Sequence, residues 1–153
     1  ISSKIDEVDA VLGGESSGGL TVRAHIHGKD SVYAAALFVE MIAKIGRSPS
    51  EIMDDLTQKY GSYEMSEFNL RFQPEDKASI NEIVFVEKKL PDFGEKPVKV
   101  SYEDGCKVYF ENGFIICRFS GTEPLLRIFA EAPVKAKADE YIDAFAAFLG
   151  LSR

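Results

Sequence analysis

Three short β-like segments separated by two turns decide the fold of this chain. They lie within residues 107–131, which read KVYFENGFIICRFSGTEPLLRIFAE. Asn112-Gly113 is a strong hairpin signal, because both residues tolerate the positive φ angles of a two-residue turn. We therefore predict an antiparallel sheet in which residues 120–124 form a tight polar loop. The predicted strands are 107–111, 114–119 and 125–131.

The segments around these strands predict a small α+β domain. Pro74 breaks the chain ahead of a helix, and Asp104-Gly105 supplies a second hairpin turn. Residues 90–97 lack apolar periodicity and are predicted to be an irregular linker. The other predicted elements are strands at 63–72 and 98–102 and helices at 75–89 and 133–149.

The first 60 residues have a different pattern, in which glycine-rich turns alternate with helices. Residues 32–45 carry apolar side chains at helical spacing, and Asp30 or Ser31 can cap that helix. Ser48-Pro49 can open another helix, because proline fits the first helical position. The helix that opens at Ser48-Pro49 is predicted to end near residue 60. The remaining predicted elements are a helix at 1–8 and strands at 8–12 and 20–27, which flank a loop at 13–19.

These patterns predict two domains, residues 1–60 and 61–153, with the fold class α/β then α+β. Strands of a parallel-type sheet are normally buried on both faces, and the few elements of the first 60 residues cannot cover both. We therefore expect an incomplete α/β/α domain, followed by a small domain whose mostly antiparallel sheet packs against helices. An exposed edge of the incomplete domain would favour self-association.

Composition excludes several classes of partner. The 18 basic and 25 acidic side chains give a net charge of -7, and no basic cluster is present to bind nucleic acid. No apolar run approaches the ~20 residues that cross a bilayer, so no membrane partner is expected. Cys106 and Cys117 form no disulfide framework and are expected to be buried thiols in a reduced, cytoplasmic protein. His25 and His27 could form a metal pair, but cleft lining or packing is favoured because no third ligand is evident.

The residues around the predicted loop at 120–124 predict a phosphate cradle. Arg118 offers a planar guanidinium, Ser120 and Thr122 offer hydroxyl donors, and Gly121 lets successive backbone N–H groups point inward. An ordinary strand turn with a surface arginine is the alternative interpretation.

The glycine-rich loop at 13–19 predicts recognition of a neutral polyol. Glu15 can accept hydrogen bonds from two sugar hydroxyls, and Ser17 can donate or accept one. A nucleotide-type phosphate loop is disfavoured, because Glu15 would repel phosphate and no Gly-Lys-Ser/Thr ending follows. A simple turn between two strands is the alternative.

Together, the segments 13–20, 25–30 and 118–124 resemble the α-D-phosphohexomutases, in particular the bacterial phosphoglucomutase/phosphomannomutase group. The resemblance covers essentially the whole chain and implies the third and fourth domains of four, hence a C-terminal fragment. It implies that the sugar is bound by Glu15, Ser17 and Lys29. It implies that the phosphate is bound by Arg118, Ser120, Gly121 and Thr122. Phe119 departs from the family, where proline is common.

The resemblance also implies what the rest of the enzyme supplies. These enzymes interconvert hexose 6-phosphate and hexose 1-phosphate, of glucose or mannose, through a phosphoserine and a bisphosphate intermediate. Their phosphoserine loop and Mg²⁺ loop have no counterpart in this sequence. We therefore expect no catalytic or metal-binding residue here, no activity of the chain alone, and the N-terminal domains of a parent chain as partners. A stand-alone phosphosugar-binding or assembly module is the alternative.

Overall fold

The structure is a computed structural model that describes residues 1–15, 18–121 and 123–151. The chain divides into two compact units, the first ending at Lys59 and the second beginning at Tyr60. Within the described ranges, no helix is both long and apolar enough to cross a bilayer.

The first unit consists of a short hairpin and three helices. The helices are α1 (Ser2–Val8), α2 (Ser31–Ile45) and α3 (Pro49–Tyr60). The strands β1 (Leu12–Gly14) and β2 (Leu20–Val22) pair in antiparallel orientation.

One predicted strand of this unit is wrong, and another is too long. The strand predicted at 8–12 is wrong, because Val8 completes α1 and Asp9 ends it with a left-handed φ of 51°. The strand predicted at 20–27 stops at Val22, because the N–H of His25 turns back to the Val22 carbonyl at 3.1 Å. Alternation of apolar and polar residues continues past the point where the backbone has already turned.

Both predicted helix caps of this unit are confirmed. Asp30 Oδ1 accepts hydrogen bonds from the N–H groups of Val32 and Tyr33, each at 3.0 Å. Ser48 and Glu51 form a reciprocal pair at the start of α3, with the Ser48 N–H donating to Glu51 Oε2 at 2.8 Å and the Glu51 N–H donating to Ser48 Oγ at 3.3 Å.

The long helices of the first unit bury none of their described side chains. Val32 is 79% exposed and Val39 is 65% exposed on α2, and Met53 is 61% exposed on α3. Among the described residues of this unit, Ile5 is the only large apolar side chain that is buried. The apolar stripes predicted from helical spacing therefore exist, and none of their described side chains is buried.

The second unit is a five-stranded antiparallel sheet with a helix on one face. The strands are β3 (Glu64–Arg71), β4 (Lys99–Ser101), β5 (Cys106–Phe110), β6 (Gly113–Phe119) and β7 (Leu125–Ala132), in the order β3-β7-β6-β5-β4. The turn that joins β5 and β6 lies at Glu111 and Asn112, one residue before the predicted Asn112-Gly113, because Gly113 already pairs with Phe110 as the first residue of β6. The closing helix α5 (Lys135–Phe148) packs against β3, β7 and β6. The predicted fold class is confirmed.

The predicted helix at 75–89 is irregular. It begins as α4 (Asp76–Asn81) and continues as a π-helical turn over Glu82–Val86, which buries Val84 in the core. In the following linker, Glu95 accepts a 2.5 Å hydrogen bond from the Tyr141 hydroxyl of α5. Burial and this contact raise the pKa of Tyr141. The linker is thus anchored to the helix that covers the sheet.

The two cysteines lie directly opposite each other on β5 and β6. Cys106 is 1% exposed and Cys117 is 0% exposed, which confirms that both are buried thiols. A hydrogen bond between the two thiols raises the pKa of Cys117 and lowers that of Cys106. The pair therefore belongs to the core of the second unit.

Candidate functional site

The polar loop of the second unit is held by short backbone hydrogen bonds. Between β6 and β7, the Ser120 N–H donates to the Leu125 carbonyl and the Leu125 N–H donates to the Glu123 carbonyl, both at 2.8 Å. From the end of β3, the Phe72 N–H reaches the Pro124 carbonyl at 3.4 Å. These bonds connect the described residues on either side of position 122 to each other and to the end of β3, as a preorganised binding loop requires.

Two arginines face each other beside this loop. Arg118 on β6 pairs in register with Arg127 on β7, and like charges directly opposite each other destabilise a sheet. Both side chains line a pocket of about 290 Å³ together with Phe119, Ser120 and Gly121. The arrangement concentrates positive charge and hydrogen-bond donors in one open pocket, which is the environment that an anion requires.

Each arginine is partly balanced by a carboxylate. Arg118 Nη1 donates to Asp104 Oδ2 at 3.1 Å, and Arg127 Nη2 lies 3.8 Å from Glu123 Oε2. The Nε atom of Arg127 is buried and has no hydrogen-bond partner among the described residues. A buried N–H without an acceptor costs about 1–3 kcal/mol, so this nitrogen carries a cost in stability.

Three of the four residues predicted to bind phosphate line this single pocket. They are Arg118, Ser120 and Gly121. Thr122 lies outside the described residues. Arg127 was not among the residues predicted to bind phosphate, although pairing the strands backward from the loop brings it opposite Arg118.

In the first unit, Glu15 and Lys29 form an ion pair at the tip of the hairpin. Lys29 Nζ donates to Glu15 Oε2 at 2.5 Å. The lysine stem crosses Gly19, where an added Cβ would lie 2.9 Å from both Cδ and Cε of Lys29. The pair presents donors and an acceptor side by side, which complements neighbouring sugar hydroxyls. Ser17, predicted with them, lies outside the described residues.

Asp30, the residue that follows Lys29, is fixed at the start of α2. Asp30 caps the helix with one carboxylate oxygen and meets His25 Nε2 at 2.9 Å with the other. The ring of His25 stacks on Tyr33 with centroids 4.0 Å apart. These contacts, led by the His25 hydrogen bond, lower the pKa of Asp30 below its ordinary value.

The histidines of this unit contact different carboxylates. His25 meets Asp30, whereas His27 Nδ1 lies 3.5 Å from Asp6 Oδ2. Within the described residues, no group of three or more His, Cys, Asp or Glu side chains could hold a metal ion. These contacts favour packing over a metal pair for the two histidines.

The fold and the two loops indicate a class of sugar phosphate-binding proteins with two units. In the first unit, the β1–β2 hairpin carries the Glu15 carboxylate, and in the second unit, arginines flank the loop between β6 and β7. One family model, "Phosphoglucomutase/phosphomannomutase, alpha/beta/alpha domain III", matches residues 1–60. Another, "Phosphoglucomutase/phosphomannomutase, C-terminal domain", matches residues 67–148. The chain belongs to the α-D-phosphohexomutase family, as its resemblance implied; the bacterial origin stays a prediction.

Individual relatives agree with this assignment. A phosphoglucomutase/phosphomannomutase of Thermococcus kodakarensis is 33% identical over 137 residues, which cover 90% of this chain and 28% of the relative. A probable phosphoglucosamine mutase of Methanocella arvoryzae is 30% identical over 140 residues, which cover 92% of this chain and 30% of the relative. A solved structure of a phosphoglucomutase/phosphomannomutase family protein from Burkholderia thailandensis shares the fold, with a TM-score of 0.70 at 24% identity over 97% of this chain and 30% of that one. The chain thus spans less than a third of the length of these relatives.

Proposed function

We propose that this chain is the sugar- and phosphate-binding portion of a phosphohexose mutase. The reaction interconverts hexose 6-phosphate and hexose 1-phosphate, of glucose or mannose, through a phosphoserine and a hexose bisphosphate. The binding portion must accept the sugar in two orientations, because either phosphate can face the serine. An anion pocket and a pair of side chains that bind sugar hydroxyls suit that requirement, since neither depends on which carbon carries the phosphate.

The single observation that carries the proposal is the pocket shared by Arg118, Arg127, Ser120 and Gly121. Arginine donates two parallel hydrogen bonds to phosphate oxygens, and two opposed guanidiniums can bind a dianion that a lone arginine would hold weakly. The phosphate would in turn relieve the repulsion between the arginines. Glu15 would accept hydrogen bonds from sugar hydroxyls, while the ion pair with Lys29 would hold the Glu15 carboxylate in place.

The chemical step requires groups that we assign to other domains of a parent protein. The described residues offer no cluster that fits Mg²⁺, so we derive no step through the metal. The serine nucleophile and the Mg²⁺ loop are proposed for N-terminal domains of the same parent chain. The chain alone is proposed to bind hexose phosphate and to turn nothing over, and a cytoplasmic location stays a prediction.

The proposal is tested by titrating the chain with glucose 1-phosphate and following the amide signals of β6 and β7 by NMR. We expect binding in the millimolar range, which corresponds to about -4 kcal/mol. Arg118→Ala should weaken binding at least tenfold, because a hydrogen bond to a charged group contributes about 1.5–3 kcal/mol. Arg47→Ala is the matched control, since Arg47 is engaged with Asp55 in the first unit. Equal affinity of Arg118→Ala and the control would contradict the proposal.

A second experiment separates the mutase from a stand-alone binding module. Residues 1–151 would replace the matching segment of the Thermococcus kodakarensis relative, and conversion of glucose 1-phosphate would be assayed. Mutase activity that disappears with Arg118→Ala supports the proposal. In the active chimera, Glu15→Gln should change the ratio of glucose to mannose turnover, because it removes a charged acceptor for the sugar hydroxyls. Binding by the free chain without activity in a folded chimera would favour the module.

A further inference from the structure

A second pocket borders the phosphate loop and contains a cation that the site described above does not use. This pocket has a volume of about 280 Å³ and is lined by Phe72, Pro74 and Lys77. Ser120 and Gly121 line it as well, and they also line the arginine pocket. The two pockets are therefore neighbours around the same stretch of loop.

Lys77 is held beside the loop by an aromatic cluster. Its Nζ atom lies 5.4 Å from the centroid of the Phe119 ring, within the range of a cation–π interaction. Phe119 is itself fixed by edge contact with Phe72 at 5.6 Å and by contact with Phe85 at 5.4 Å. Phenylalanine at position 119, where the family commonly has proline, thus gives the lysine a surface to lie on.

The charge of Lys77 is not balanced by an ion pair among the described residues. The neighbouring carboxylate of Asp76 is directed to the backbone N–H of Gln73, with Oδ2 at 3.3 Å. Glu123, which also lines the Lys77 pocket, lies 3.8 Å from an Arg127 nitrogen. Lys77 therefore remains the cation of this pocket that no described carboxylate neutralises.

The net charge around the arginine pocket shows why such a cation matters. Arg118 is paired with Asp104 and Arg127 with Glu123, so the positive and negative charges of these four side chains cancel. A phosphate dianion is bound more tightly where the surrounding charge is positive. Lys77 supplies that excess charge, and its flexible stem can follow the phosphate without moving the loop.

We propose that Lys77 is a further substrate-binding residue, which donates a hydrogen bond to an oxygen of the phosphate held by the loop. The inference rests on the proposed function, because it assigns another contact to the same phosphate. It places cations on two sides of the loop, with the arginines on the sheet and Lys77 on α4.

The test is a titration of the full chain with glucose 1-phosphate and, separately, with inorganic phosphate at low ionic strength. Lys77→Gln should weaken binding of both ligands about three- to tenfold, as expected for one charge-assisted hydrogen bond at an accessible site. Lys77→Arg should keep most of the affinity. Lys99→Gln is the matched control, because Lys99 lies 5.6 Å from the Tyr109 ring but lines neither pocket.

The outcomes separate this inference from the proposed function. Equal affinities of Lys77→Gln and Lys99→Gln, with binding lost in Arg118→Ala, would overturn the role of Lys77 and leave the proposed function intact. Absence of any sugar phosphate binding by the unaltered chain would overturn both. Because Lys77 is exposed, we expect Lys77→Gln to keep the amide spectrum of the sheet, which establishes that a loss of affinity is local.

Discussion

Replacing Arg127 by methionine should increase stability while it weakens phosphate binding. Methionine keeps a long unbranched stem but removes the charge that faces Arg118 across β6 and β7. Relief of the like-charge pair is worth about 0.2–1 kcal/mol, and loss of the buried, unpartnered Nε is worth about 1–3 kcal/mol. Against these gains stand the 3.8 Å ion pair with Glu123, worth about 0–1 kcal/mol, and some packing of the stem. We expect a net stabilisation of about 1 kcal/mol.

The same replacement should lower phosphate affinity tenfold or more. A guanidinium-to-phosphate contact contributes about 1.5–3 kcal/mol, and methionine supplies none of it. Stability would be measured by urea unfolding, followed through the amide signals of the sheet, and affinity by titration with glucose 1-phosphate. The comparison variant is Arg118→Met, which relieves the same repulsion but removes no buried, unpartnered nitrogen.

The stabilities and phosphate affinities of Arg127→Met and Arg118→Met together distinguish a residue that binds a ligand from one that supports the sheet. Both variants should lose affinity, and Arg127→Met should be the more stable of the two. A destabilised Arg127→Met with unchanged affinity would refute the reasoning, because it would mean that the guanidinium supports the sheet and not a ligand.

Three other perturbations test the geometry of the two loops. Gly19→Ala should change the free energy of unfolding by less than about 0.5 kcal/mol, because only the flexible side chain of Lys29 must move. Titration with glucose 1-phosphate should nevertheless show that the affinity of Gly19→Ala falls to that of Lys29→Met. The ionised form of Asp30 accepts stronger hydrogen bonds than the protonated form, and its pKa lies below the ordinary 3.8. The extra stabilisation is therefore present above that pH and is lost as pH falls through the lowered value. Protection of the amides at the start of α2 against exchange, relative to their intrinsic rates, should therefore fall below pH 3.8 in the unaltered chain, whereas Asp30→Ala should show low protection at every pH. Asp104→Asn should raise phosphate affinity about two- to fivefold at low salt, since it frees Arg118 from a competing carboxylate, and equal affinity would contradict this competition.

The antiparallel sheet could be predicted because its signals are local. The Asn112-Gly113 signal located the turn to within one residue without reference to the rest of the chain, and the flanking composition supplies the strands. Burial of Cys106 and Cys117 followed from residue type. Helix caps were likewise predictable, because Asp30 and Ser48 act on backbone groups two or three residues away.

The contacts that make the site specific are not local. Arg127 lies nine positions from Arg118 and becomes its partner only through the register of β6 and β7. Lys29 is separated from Glu15 by 14 positions, and their contact depends on the bare backbone of Gly19. The family resemblance predicted Lys29 as a sugar-binding residue without any knowledge of its contacts. No rule of local sequence relates Lys77 to the phosphate loop.

The side on which Arg127 emerges depends on the number of residues in the loop. Along β7, Leu126 and Ile128 are fully buried while Arg127 between them is half-buried. A one-residue insertion between β6 and β7 that shifted this pairing would turn the guanidinium into the core and bring leucine or isoleucine to the pocket. The length of the segment 120–124 is therefore under constraint in addition to the side chains that bind the phosphate.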